Sequence, residues 1–174
     1  MTQRARWRWI VILGITALGA GAYSTATRGT GDVNCPPSGQ ASLIVDTGKH
    51  AMALCENGKQ AGTFAVRIGK QGTGKSREGD GKTPLGRYEL GEPRASVAYG
   101  RFVPIEYPTP DQRKLGFTGG AVGVHGPDRR VRWLGSFVNT FDTTDGCVGV
   151  ATDTEMQTVS NWVHEHRAKE IVIQ

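Results

Sequence analysis

Hydrophobic and polar positions change their spacing several times along this chain, and each change predicts an element. Ser42-Leu43-Ile44-Val45-Asp46 is a short apolar run closed by the turn residues Thr47-Gly48-Lys49, after which Met52 and Leu54 alternate with Ala51, Ala53 and Cys55. Two such runs around a short polar turn predict a β-hairpin. Asn57-Gly58 is the strongest short turn signal, and beyond it Phe64, Val66 and Ile68 share one face of a third strand. Arg87 to Leu90 and Phe102 to Tyr107 read as further strands between long loops. Ala121 to Val124 is a short apolar run that delivers His125-Gly126 at its end, where side chains can reach a cleft. One helix is predicted: Thr152-Asp153-Thr154-Glu155 fits a capping box, and Met156, Val159 and Val163 form one stripe with Trp162 beside it. It should run to about Arg167, with Glu170-Ile171-Val172-Ile173 returning as a terminal strand.

Composition narrows the fold class. A chain of 174 residues with 37% hydrophobic content buries one core. Its 25 glycines and 8 prolines favour turns between short strands over long helices. The expectation is a mainly β, β-rich α+β domain over residues 42–174. Ahead of it, Arg4, Arg6 and Arg8 precede an apolar run from Trp9 to Ala22, the order of a secretory leader. That run is shorter than the roughly 20 residues that span a bilayer, and Ala20-Gly21-Ala22 offers a small-residue cleavage pattern. Residues 1–22 are therefore expected to be a signal peptide or an N-terminal membrane anchor. Residues 23–41, rich in Gly, Thr and Pro, are expected to be a linker, and the domain is expected to work outside the cytoplasm.

The formal charge is +5, and the three leader arginines account for +3 of it, leaving +2 on the remainder. With no aromatic-interleaved basic stripe, a nucleic-acid partner is not expected. Three cysteines in an exported chain leave one without a partner inside the chain. Cys55 ends the second strand of the hairpin, and the chain entering the first strand passes close to it, so Cys35 is the expected partner; two unpaired structural thiols are the alternative. Cys147 is then the odd thiol.

Gly69-Lys70-Gln71-Gly72-Thr73-Gly74-Lys75-Ser76 fits the phosphate-loop pattern letter for letter. The chemistry of that loop needs a helix to start at the Lys-Ser pair, and Gly79, Gly81 and Pro84 oppose one. A flexible loop beside a cleft is expected there, with no nucleotide.

The strongest local signal is Thr143-Thr144-Asp145-Gly146-Cys147-Val148, with His125-Gly126 placed 22 positions before the cysteine. A thiolate is a nucleophile, and an imidazole beside it can take and return its proton. A glycine before the nucleophile lets backbone N–H groups approach a developing oxyanion. Taken singly, Cys147 reads as a buried apolar thiol and His125 as a satisfied core histidine; the ordered context pairs them. A backbone carbonyl, or a side chain near Gly123, could orient the histidine. His50, His164 and His166 read as structural, since His164-Glu165-His166 does not put two ligands on one helical face. No metal or cofactor is expected.

These residues resemble the L,D-transpeptidase catalytic domain (YkuD-type), whose signature is a histidine, a spacer, then Ser/Thr-His-Gly-Cys and a hydrophobic residue. Thr144, Gly146, Cys147 and Val148 match it, and Gly79 to Tyr88, with Thr83-Pro84-Leu85-Gly86, is similar to the Thr-Pro-x-Gly segment of the family. Asp145 stands where most members carry a second histidine, which is similar to the YafK-like murein transpeptidase branch. Tyr107-Pro108 with Asp111, and Thr152 to Met156, resemble segments of the same branch, and the likeness covers about Leu43 to Ile173.

The resemblance implies a β-sandwich or barrel with one helix after the cysteine. It implies Cys147 as nucleophile, His125 as general base and Gly146 as oxyanion-hole backbone, with Asp145 and Thr144 beside them. The expected activity is acyl transfer through a thioester on peptidoglycan stem peptides, with a wall-attached protein as a second expected partner. A hydrolase of the same fold and a non-catalytic wall-binding module are the alternatives. Gly149 departs from the polar or basic residue that many members carry there, and Arg129, Arg130 and Arg132 could meet a stem-peptide carboxylate or form a solvated basic loop.

Overall fold

A computed structural model describes residues 32–37 and 39–174. The expected leader and the first part of the expected linker lie outside the described residues. In chain order the elements are β1 (Ser42–Asp46), β2 (Ala51–Glu56), β3 (Lys59–Arg67), β4 (Gly86–Glu89), β5 (Arg94–Ser96), β6 (Gly100–Pro104), α1 (Pro110–Lys114), β7 (Gly123–His125), a 3-10 segment (Arg132–Thr140), β8 (Val148–Val150), α2 (Asp153–Glu165) and β9 (Glu170–Ile173). The strands join in one curled sheet in the order β4-β9-β1-β2-β3-β8-β7-β6-β5. This mainly β architecture with a helix after the last cysteine is the fold class expected from the sequence.

The hairpin turn between β2 and β3 has φ of 51° at Asn57 and 77° at Gly58, the pair of positive values that the Asn-Gly signal supplies. β1 pairs with β2 antiparallel and with β9 parallel, so the C-terminal strand enters the sheet one place in from its β4 edge. Alternation along the strands sends Leu43, Val45, Met52, Leu54, Val66, Val124, Val148, Val150, Ile171 and Ile173 into one core, which Met156, Val159, Trp162 and Val163 of α2 complete.

Three differences from the sequence expectation stand out: added elements, the end of α2, and the segment ahead of β1. β5, β8, α1 and the 3-10 segment were not predicted, the three-residue strands because they are too short to show a period. α1 begins at Pro110 behind a Thr109–Gln112 capping box, so its local signal is an N-cap with no apolar stripe. α2 stops at Glu165, ahead of the expected Arg167, which has φ of 51° and cannot continue a right-handed helix. Finally, part of the segment read as linker is fixed in place. Val33 is 1% exposed against Ile44, Ala51 and Ala53 on the second face of the hairpin, and Cys35 is bonded to Cys55 with Cα atoms 5.4 Å apart.

That bond closes a loop 20 residues apart in sequence. Replacing both of its cysteines by serine should lower the unfolding free energy in urea by about 3 kcal/mol, with the midpoint falling and the slope rising as the unfolded chain loses its cross-link.

Candidate active site

Three neighbouring strands build the site. β3 pairs with β8 through Val66↔Val150 and Arg67↔Gly149, and β8 pairs in parallel with β7 through Val124↔Val148 and His125↔Gly149. The valines face the core, so Arg67, Gly149 and His125 face the other side of the sheet at one level. Cys147, two residues before Gly149, lies on that same side. Cys147 and His125 both line a cavity of about 580 Å³, with Tyr99, Phe102, Thr144 and Asp145 among its walls. Cys147 is a free thiol.

His125 is 3% exposed, and its ring stacks on Tyr99 with centroids 3.8 Å apart. Its Nδ1 lies 2.6 Å from the Gly126 carbonyl oxygen. Only a protonated Nδ1 can make that bond, so Nε2 is the basic nitrogen. Burial pulls the imidazole pKa down to about 4, with the nearby Arg67 cation acting the same way and the Gly126 carbonyl opposing both. Burial also pushes the Cys147 thiol above its ordinary value; the Gly123 amide, Lys75 and Arg67 oppose that rise, and Asp145 adds to it. At rest the cavity therefore holds a neutral thiol and a neutral imidazole. The sulfur donates to the Ala121 carbonyl at 3.6 Å.

The turn before Cys147 is built around Thr144. Its Oγ1 accepts from the Gly146 amide at 3.2 Å and donates to the Cys147 carbonyl at 2.7 Å. Gly146 has φ of 129°, and a Cβ there would lie 2.6 Å from the Lys82 carbonyl oxygen, so no other residue fits. Asp145 is exposed and pairs with Lys70 Nζ at 2.7 Å.

The loop over residues 69–86, expected to be flexible, is instead tied down internally. Asp80 accepts from the Ser76 and Arg77 amides at 2.8 and 2.9 Å and from the buried Lys75 ammonium at 2.9 Å. Burial alone would raise the Asp80 pKa, but these hydrogen bonds and one from the Lys82 amide outweigh it and hold the carboxyl below its usual range. No helix begins at Lys75-Ser76, and Asp80 fills the backbone amides that an anion would need.

Of the three arginines between His125 and Cys147, Arg130 alone lines the cavity, held by a two-pronged pair with Asp128 at 3.0 Å per bond. Arg132 pairs with Asp153 at 3.1 Å. His50 binds Asp142 at 2.9 Å and His166 binds Glu56 at 3.1 Å. Among the described residues no cluster of three His, Cys, Asp or Glu side chains is placed to hold a metal ion. Two site residues escaped the sequence reading. Tyr99 sits in a stretch without period, and Arg67 lies at a strand end that alternation assigns to the face away from the core.

A family model described as the L,D-transpeptidase catalytic domain matches residues 40–173. No curated protein matches the chain. Among solved structures, the chain is similar to the helical cell shape determining protein Pgp2 from Campylobacter jejuni, with 24% identity, a TM-score of 0.65, and coverage of 83% of this chain and 52% of that one. It is also similar to Bd1075 of Bdellovibrio bacteriovorus, with 20% identity, a TM-score of 0.53, and coverage of 79% and 48%. The chain thus spans about half the length of these two proteins.

The depressed His125 pKa predicts an acid sensitivity. Unfolded, the imidazole binds a proton near pH 6.5, whereas folded it does so only near pH 4. Its stabilising contribution is complete above pH 6.5 and is lost as pH falls through that window, amounting to roughly 3 kcal/mol. Urea titrations between pH 7 and 4 should show this loss, and a His125→Gln protein should show less of it.

Proposed function

Because this chain belongs to the L,D-transpeptidase catalytic-domain family, we propose that it performs cysteine-dependent acyl transfer on peptidoglycan stem peptides outside the cytoplasm. The observation that carries this reading is the pairing of β7 with β8, which puts His125 and Cys147 on one cavity with the histidine Nδ1–H committed to the Gly126 carbonyl.

In this reading Nε2 of His125 takes the thiol proton as Sγ of Cys147 attacks the amide carbonyl between an L-centre and a D-residue. The amides around Gly146 and Cys147 meet the oxyanion, and Thr144 holds their turn in shape. Collapse breaks the C–N bond, the imidazolium gives its proton to the departing amine, and a thioester remains on Cys147. An amine then attacks the thioester, His125 takes its proton, and the acyl group leaves the sulfur. A diamino-acid side chain as acceptor gives a cross-link, a protein lysine gives attachment, and water gives hydrolysis. Asp145, in place of a second histidine, supports a place in the YafK-like branch, and its pair with Lys70 sets it at the cavity wall where the stem peptide approaches. The free state of Cys147 favours catalysis over a pure wall-binding module.

Disaccharide tetrapeptide and cross-linked muropeptides, incubated with the protein and analysed by mass, decide the acceptor. A dimer or an exchanged residue means transfer, loss of a residue means hydrolysis, and unchanged masses overturn the reading. Cys147→Ala should abolish turnover, and His125→Gln should slow it by about 100- to 10,000-fold. The acid limb of kcat/KM should lie near pH 4, where His125 protonates, instead of near 6.5.

A further inference from the structure

Arg67 of β3, Gly149 of β8 and His125 of β7 stand side by side across three strands. The missing side chain of Gly149 leaves the space in which the arginine lies: a Cβ there would sit 2.7 Å from Arg67 Cζ and 2.8 Å from Nε. Reaching across the glycine, Nη2 donates to the Gly126 carbonyl at 3.3 Å, the same oxygen that accepts His125 Nδ1–H. Nη1 donates to Asn139 Oδ1 at 2.9 Å and to the Val150 carbonyl at 3.0 Å. Arg67 is 4% exposed, and among the described residues no carboxylate pairs with it. A buried cation held only by neutral acceptors is costly. Its charge fronts the same cavity as the sulfur.

We propose that Arg67 is a positioning residue for the Cys147–His125 pair. Its grip on the Gly126 carbonyl fixes the imidazole tautomer with Nε2 as the basic nitrogen, and its unneutralised charge stabilises the thiolate and opposes premature protonation of the histidine. Burial weakens the guanidinium's own hold on its proton, and negative charge on Cys147 or Tyr99 strengthens it, as expected for a cation that waits for an anion. The other charged or titratable groups around the pair are Lys75, Asp145, Tyr99, Asp128, Arg94 and Arg130, and the variants below leave them in place.

The purpose of this arrangement rests on the acyl-transfer reading, but its test needs no muropeptide. The pH dependence of Cys147 alkylation by iodoacetamide gives the thiol midpoint, and NMR of the His125 ring, assigned with His125→Gln, gives the imidazole midpoint. Removing a nearby positive charge raises both midpoints, whereas loosening the site and admitting water lowers the thiol midpoint while raising the imidazole one. In Arg67→Met both should rise, the thiol by about one pH unit, which makes alkylation near pH 7 about tenfold slower. Arg67→Lys should keep both near the parent values. Should Arg67→Met fail to fold, Gly149→Ala drives the guanidinium off its seat and should raise both midpoints in the same sense. A thiol midpoint that falls or stays, or an imidazole midpoint that does not rise, overturns the role. A protein inactive on muropeptides that still shows both shifts would sink the acyl-transfer reading and leave the role of Arg67 standing.

Discussion

The parallel pairing of β7 with β8 is the constraint on which the site depends. Parallel neighbours cannot be joined by a tight turn; the chain must leave the sheet and come back. Residues 126–147 make that excursion, carrying Arg130 and the 3-10 segment over the cavity, and the return register of Val124 with Val148 puts the imidazole and the sulfur on the same side of the sheet. Two features hold the register from outside. Arg67 ties β3, β7 and β8 together through Val150 and Gly126. The Thr152–Glu155 capping box starts α2 directly after β8, with Glu155 also accepting from the Ala151 amide at 2.8 Å. Slippage of β8 by one residue would turn Gly149 into the core and Val148 toward the cavity, losing the pair and part of the core together.

Depth shapes the chemistry of this pair. Burial favours the uncharged form of each partner, moving the histidine down and the cysteine up. A standing thiolate–imidazolium pair is therefore disfavoured at rest, and in the proposed reaction charge separates only as the carbonyl is attacked. The groups poised for that moment are fixed in advance: the Gly123 amide and the Lys75 and Arg67 cations all favour negative charge on the sulfur. Such preorganised dipoles and charges need little rearrangement when charge develops, which is where electrostatic catalysis gains most.

Much of the frame was legible from spacing. The hairpin, its Asn57-Gly58 turn, the strand ending at His125, the capped helix and the terminal strand each rest on local preferences that the tertiary structure did not override. The pairing of Cys35 with Cys55 could be inferred because a hairpin fixes where its entry segment must run. The three-residue strands left too little text for a period, α1 carries no apolar stripe, and the apolar positions of the 3-10 segment are interrupted by Gly135, whose φ of 54° is not helical. Arg67 is hidden for another reason: alternation correctly assigns it to the face opposite Val66, but only the returning segment with Asn139 covers that face. Lys75 and Asp80 were hidden by a motif that pointed elsewhere, since the same glycine-rich letters that suggest phosphate binding here wrap a loop around its own carboxylate.

What completes the site is the absence of side chains at three places. A Cβ at Gly123 would lie 2.3 Å from the Phe102 ring and 2.5 Å from the Val103 carbonyl; one at Gly146 would strike the Lys82 carbonyl, and one at Gly149 would strike Arg67. Each glycine thus admits a different neighbour: an aromatic wall, a loop backbone and a buried cation. The three requirements are not equivalent in what they allow. Gly123 and Gly146 face rigid ring and backbone atoms, and Gly146 also needs a positive φ, so substitution there strains the frame itself. Gly149 faces the buried Arg67 side chain from Cγ to Cζ, so substitution there displaces the cation together with the hydrogen bonds it makes to β8 and to the end of β7. The cavity floor therefore separates into two positions that admit rigid neighbours and one that seats a cation, and at that third position charge and strand register are disturbed together.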